Sequence, residues 1–214
     1  MIPITVLTIR EQVADALRKA MFYGELKKGD ELTQNAVAIK LRVSKMPVRE
    51  AFQILERDGL LILNNHRKAV VRGITKDDIL DQYDIRIVLE GEAAARASLK
   101  KDVSDIVRAY ELVEKAAEKV DPASYMKANT YFHHTIWRVA GSRRLVWLLE
   151  QVWSGIPPYL PQLVSSQIEH SLLEHRRIVS AIQGGKSEEA RSLISEHIRR
   201  DMNYLIAYFQ KTLC

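Results

Sequence analysis

Apolar residues in the first third of the chain recur at helical spacing in three short bursts. Thr8 precedes Ile9, Val13, Ala16, Leu17 and Ala20, and the pattern stops at Gly24, predicting an N-capped helix with a glycine at its end. After the turn Lys28-Gly29-Asp30 and Leu32, Thr33 opens a second, short helix with Val37, Ala38 and Leu41 on one face. Ser44 is placed to cap a third helix. Pro47 is tolerated in its first turn, Val48, Ala51, Phe52 and Leu55 form its buried stripe, and Asp58-Gly59 ends it. Leu60–Leu63 and Ala69–Arg72 then read as two short strands around the polar, basic turn Asn64–Lys68. Three compact helices followed by a hairpin predict a winged helix-turn-helix.

Beyond Gly73 the period lengthens and no strand pattern persists. Helices are expected at about 76–99, 104–119, 122–140, 143–155, 166–183 and 187–211, with breaks at Asp121-Pro122, Gly141, Pro157-Pro158 with Pro161, and Gly184-Gly185. The predicted fold class is therefore mainly α: a winged helix-turn-helix domain over residues 1–75, then an all-α helical-bundle domain over 76–214.

Charge sharpens this division. Residues 1–75 hold 13 Lys and Arg against 8 Asp and Glu, whereas residues 76–214 hold 19 of each, so the net +5 lies wholly in the N-terminal part. That asymmetry points to one domain facing a polyanion and one that does not. No run of eighteen apolar residues could span a bilayer, and the N-terminus lacks the pattern of a secretion signal, so a cytoplasmic location and no membrane partner are expected. The single cysteine, Cys214, leaves no intrachain disulfide and no cysteine-based zinc site.

In a helix-turn-helix the third helix enters the major groove with its N-terminal residues facing base edges. Ser44, Lys45, Met46 and Arg49 occupy that start, and Arg49 suits a two-point contact to guanine. His66, Arg67 and Lys68 at the hairpin tip could reach phosphates or the minor groove. Double-stranded DNA is the expected partner.

In the helical part, Met126, Asn129, His133, Ile136 and Ala140 share one largely apolar face. Ile168, Leu172, His175, Val179 and Ile182 do so on a second helix. On the last helix His197 lies on or beside the inward face, with Ala190, Leu193 or Ile194, Met202 or Asp201, and Leu205. Three inward histidines with a neighbouring amide could converge on a divalent metal, or each could be a hydrogen-bonded core residue. His134 and His170 point elsewhere and read as solvated or packing residues. Trp137, Trp147, Trp153 and Tyr159 read as core and pocket wall.

The run Ile9–Gly24, then Leu26, Gly29 and Leu32, and above all Val43-Ser-Lys-Met-Pro-Val-Arg-Glu-Ala51 with Leu55, Gly59 and Leu60, resembles the GntR family of bacterial regulators. The chain departs from that pattern at Asn35, Arg42, Lys45, Met46 and Lys68; the family usually has Gly at 42 and Arg at 45. Lys45 cannot make arginine's planar two-point contact, so the operator is expected to differ. Tyr83-Asp-Ile-Arg86 with Glu90, Asn129-Thr-Tyr-Phe-His133, Glu174-His175-Arg-Arg-Ile-Val-Ser-Ala-Ile182 and His197 resemble the FadR-type effector domain, FCD. That resemblance implies zinc, nickel or another divalent metal held at positions matching Asn129, His133, His175 and His197. Asn129 replaces the family's aspartate, so metal affinity should be weakened. It also implies a small carboxylate effector, with Arg86 near its pocket, although Arg86 could equally hold Glu90.

A repressor that binds a pseudo-palindromic operator as a homodimer follows from this reading. The alternative is a metal-dependent enzyme using the three-histidine site. Against it stands the lack of an HExxH arrangement, a phosphate-cradling glycine loop or a nucleophile motif.

Overall fold

The computed structural model describes residues 8–64, 68–118, 121–153 and 165–212. Packing separates the chain into two compact units between Thr75 and Lys76, the first a winged helix-turn-helix and the second all-α. No described helix is long and apolar enough to cross a membrane.

In the first unit α1 spans Ile9–Phe22. Thr8 caps it through a reciprocal capping box: its hydroxyl accepts from the Glu11 N–H while Glu11 accepts from the Thr8 N–H. Its inward face is Val13, Ala14, Leu17 and Met21, whereas Ile9, expected on that face, is 57% exposed. Strand β1 (Glu31–Thr33) leads directly into α2 (Gln34–Leu41), which Thr33 caps through the Ala36 N–H. Helix α3 (Lys45–Arg57) buries Val48, Ala51, Phe52 and Leu55, the stripe read from the sequence. Strands β2 (Leu61–Asn64) and β3 (Lys68–Val71) follow.

The sheet has three antiparallel strands in the order β1-β3-β2, not two. Leu32 and Leu63 both stand opposite Ala69, so the central strand places Ala69 and Val71 in the core. Strand β1 escapes a periodicity reading because three residues are too few to show alternation; it forms because β3 offers an edge to pair with. Arg18 and Asp58 form a buried ion pair that ties α1 to the end of α3.

Two local features shape the turn before α3. Arg42 ends α2 in the left-handed conformation (φ 55°, ψ 44°), the one non-glycine residue with positive φ among those described. Ser44 stands at the N-cap of α3 in extended conformation, yet its side chain makes no capping hydrogen bond. The expected cap is thus not made, and Pro47 contributes a physical reason: it occupies the third helical position, where the usual N–H donor is missing.

The second unit comprises α4 (Lys76–Ser98), α5 (Ser104–Glu118), α6 (Pro122–Val139), α7 (Arg143–Trp153), α8 (Ser165–Gln183) and α9 (Ser187–Thr212). Asp121 caps α6 through the N–H groups of Ala123 and Ser124. Helices α4 and α9 form the most extensive pair, and Gly91 sets their separation. A Cβ there would lie 2.9 Å from the Ser195 hydroxyl. Tyr83, Phe132, Ile136, Trp137, Ile178 and Ile198 are among the buried core residues. Trp147, expected in the core, is 49% exposed, because it lies on the outer side of α7, where Arg144 covers its ring. Tyr159 lies outside the described residues.

A left-handed arginine costs roughly 1 kcal/mol that glycine avoids. Arg42→Gly is expected to stabilise the first unit by about that amount in urea denaturation of the full chain. An unchanged or lowered midpoint would show that the turn is unstrained.

Candidate nucleic-acid interface and candidate metal centre

The start of α3 presents Ser44, Lys45, Met46 and Arg49 to solvent, all exposed, with Met46 at 67%. Without a capping bond, the Ser44 hydroxyl is available to an outside acceptor. Among the described residues neither Lys45 nor Arg49 is engaged in an ion pair or hydrogen bond. Val48, Ala51 and Phe52 anchor the opposite face, so the polar side chains project from a rigid helix. Lys68 begins β3, where its ammonium lies 3.3 Å from the Glu31 carboxylate. Both side chains are more than half exposed, so the pair is weak and can give way to a phosphate. His66 and Arg67 lie outside the described residues.

In the second unit Asn129, His133, His175 and His197 are all buried, at 4%, 1%, 0% and 1% exposure. Each of the three histidines offers a nitrogen within 4.8 Å of the others, and the Nε2 atoms of His175 and His197 are 3.3 Å apart. The imidazoles of His133 and His197 stack at 5.4 Å, and those of His175 and His197 meet edge-on at 4.7 Å.

Carboxylates orient two of the rings. His133 Nδ1 lies 2.8 Å from a Glu90 oxygen, and His197 Nδ1 lies 2.6 Å from a Glu174 oxygen. Each carboxylate is an acceptor, so the proton belongs on Nδ1 and the Nε2 lone pair is free. Glu90 also accepts from Trp137 Nε1 at 3.2 Å and from Arg86 Nε at 2.9 Å. Arg86 is itself 3% exposed and lies between the rings of Tyr83 and Trp153, at 4.7 and 4.3 Å.

Burial alone would raise the Glu90 carboxyl, but Arg86 and His133 outweigh it and hold the pKa at about 2. Burial lowers His133 despite the opposing pull of Glu90, and pushes His175 well below the usual histidine range. Neutral imidazoles with inward lone pairs are the form that a divalent cation binds. The Asn129 Oδ1 is buried without a partner, an oxygen left over on the same helix as His133. These donors fit a metal. Two of the histidines have the outer carboxylate partners that metal-binding imidazoles require.

His134 is packing, not solvated: its ring lies 4.3 Å from that of Trp137, and burial drives its pKa down to about 4. His170 is exposed. Arg86 is held by Glu90, the second of the two expectations for it. Glu174 and Trp153 were not singled out for roles at the centre. Only the spacing of Arg86 and Glu90 carried a signal, because the contacts of Glu90 and Glu174 with the histidines cross between helices.

Residues 9–71 match the gntR family of bacterial regulatory proteins, and residues 81–200 match the FCD domain. The uncharacterized HTH-type transcriptional regulator YdhC of Bacillus subtilis is 28% identical over 204 residues, covering 91% of this chain and 89% of that protein. The gluconate operon transcriptional repressor of Bacillus licheniformis is 27% identical over 166 residues, covering 76% and 66% of the two chains. Among solved structures, Escherichia coli McbR superposes with a TM-score of 0.74 at 23% identity, covering 95% of this chain and all of that one, which shows a shared fold.

Glu90→Gln strips the buried Arg86 of its counter-charge. It is expected to destabilise the metal-free protein by about 3–5 kcal/mol in urea denaturation. Combining it with Arg86→Met should recover most of the loss. A double variant no better than the single one would show that the pair is not the stabilising unit.

Proposed function

Because the chain belongs to the GntR family of bacterial regulatory proteins and carries an FCD domain, we propose that it is a metal-assisted, ligand-responsive repressor. It binds a pseudo-palindromic operator as a homodimer. The matching relatives are named as regulators of transcription, and the chain is a DNA-binding transcription regulator and not an enzyme.

In this reading Ser44, Lys45, Met46 and Arg49 read base edges, while His66, Arg67 and Lys68 steady the wing on the DNA backbone. The observation that carries the sensing role is the convergence of His133, His175 and His197 on one buried point, each offering a nitrogen within 4.8 Å of the others. They hold a divalent ion, zinc or nickel, with the Asn129 oxygen beside it. When bound, the ion supplies a Lewis-acidic position at which a small carboxylate effector can coordinate. Arg86, fixed by Glu90, offers its remaining guanidinium N–H groups to that carboxylate. Effector binding shifts the relative placement of the two DNA-binding units in the dimer. By linkage, an effector that weakens operator binding binds less tightly to the DNA complex.

Metal analysis of protein purified without chelator or affinity tag should find zinc or nickel near one per chain, and His133→Ala and His175→Ala should each lose it. If the folded wild-type protein holds no metal and takes up neither ion on addition, the sensing mechanism is wrong. On the DNA side, Arg49→Ala should weaken operator binding by roughly 10- to 100-fold and relax preference at one base position. A uniform loss across unrelated sequences would instead make Arg49 a phosphate contact.

A further inference from the structure

A divalent ion surrounded by three neutral imidazoles and a neutral amide would be buried with no anionic ligand, an arrangement that costs solvation energy. The two carboxylates that orient the histidines do not supply the missing charge, since each already has an arginine. Glu90 pairs with Arg86 at 2.9 Å, and Glu174 pairs with Arg200 at 2.9 Å. Arg200 is shared, however: the same nitrogen also holds Asp201 Oδ1 at 2.9 Å. One guanidinium thus serves two carboxylates, and the group of Glu174, Arg200 and Asp201 carries one negative charge in excess.

That excess faces the histidines. The second Asp201 oxygen, Oδ2, lies 3.7 Å from His197 Nε2, the ring nitrogen that faces His175 while Nδ1 is bonded to Glu174. Asp201 follows His197 by one helical turn on α9, so both side chains leave the same face. Its side chain is 19% exposed, and its field reaches the buried Tyr83, Arg86 and Tyr125. Two ligand atoms on one divalent ion, each about 2.1 Å from it, stand about 3.0 to 3.4 Å apart, and a coordination number above four keeps a position for the effector beside these ligands. His175 and His197 already meet that spacing at 3.3 Å, and Asp201 is a few tenths of an ångström wider. The residues outside the described set include no Asp or Glu, so none of them brings a rival carboxylate.

We infer that Asp201 supplies the anionic ligand of the metal centre, joining His133, His175 and His197, while Asn129 stays a neutral oxygen beside them. This rests on the metal reading above. It assigns the carboxylate to α9 instead of α6; Asp201 stands outside the group of three histidine nitrogens that lie within 4.8 Å of one another, so its side chain moves toward them when the ion binds. The charge of the centre then depends on a residue one turn beyond the last histidine.

Zinc affinity measured by equilibrium dialysis on the full-length chain tests this, with Asp201→Asn as an isosteric change that keeps the fold. The variant should bind zinc more weakly by more than about 100-fold, beyond the roughly 10- to 100-fold that loss of an outer hydrogen-bond partner costs. Adding Asn129→Asp to it should restore most of the affinity by returning a carboxylate from α6. With cobalt(II) as a second probe, the visible d–d bands of wild-type protein and Asp201→Asn should differ in position or intensity, a change that a purely structural role would not produce. Zinc binding within about threefold of wild type in Asp201→Asn, with identical cobalt bands and binding abolished in His175→Ala, would overturn the assignment and leave the metal centre standing. Failure of both wild type and Asn129→Asp to take up zinc would overturn the assignment and the metal centre together.

Discussion

The buried pair of Arg86 and Glu90 is the contact on which the helical unit's site depends. Neither charge reaches solvent, and each would be costly without the other. Glu90 accepts not only from Arg86 but also from His133 and Trp137 on α6, so one carboxylate joins an ion pair, a ligand imidazole and a core indole. Turning His133 away would cost a charge-assisted hydrogen bond between two buried groups. The orientation of the imidazole is therefore set by the same interaction that makes a buried arginine tolerable. On the other side Glu174 holds His197, and Arg200 holds Glu174. The cluster is held from both ends by a carboxylate backed by an arginine.

Helix α3 is built on a different principle. Its inner face is an apolar stripe packed against α1 and the sheet, and its outer face carries side chains with little to hold them. Proline in the first turn takes away a donor that Ser44 would otherwise have capped, which leaves the Ser44 hydroxyl uncommitted at the start of the helix. Arg42 accepts a strained conformation to end α2 and turn the chain toward α3 within three residues. In both places local stability yields to what the surface must present, a common balance at functional positions.

Much of this architecture is legible in the chain because helices record themselves as periodicity. Thr8, Thr33 and Asp121 mark helix starts through hydrogen bonds that span only a few residues. The charge step falls at the same place as the change from strands to long helices. Where the reading failed, the controlling contact was remote or too short to leave a pattern. Strand β1 needs the edge of β3, and Trp147 points outward because of how α7 is rotated on its neighbours. For His134 the reading left solvated and packing open, and the rings of Trp137 and Trp153 around it decide for packing.

By itself the sequence determined the two-domain order, the helices, the buried stripe of α3 and the inward sides of the three histidine-bearing helices. Those properties follow from spacings of two to seven residues, where side-chain periodicity and capping operate. Only the tertiary structure decided which carboxylate orients which histidine, and that Arg86 and Glu90 lie buried together beside His133. The Glu90–His133 and Glu174–His197 bonds join residues 43 and 23 positions apart. Their existence depends on how helices rotate and slide against one another, which is fixed by packing across the core and has no period in the chain.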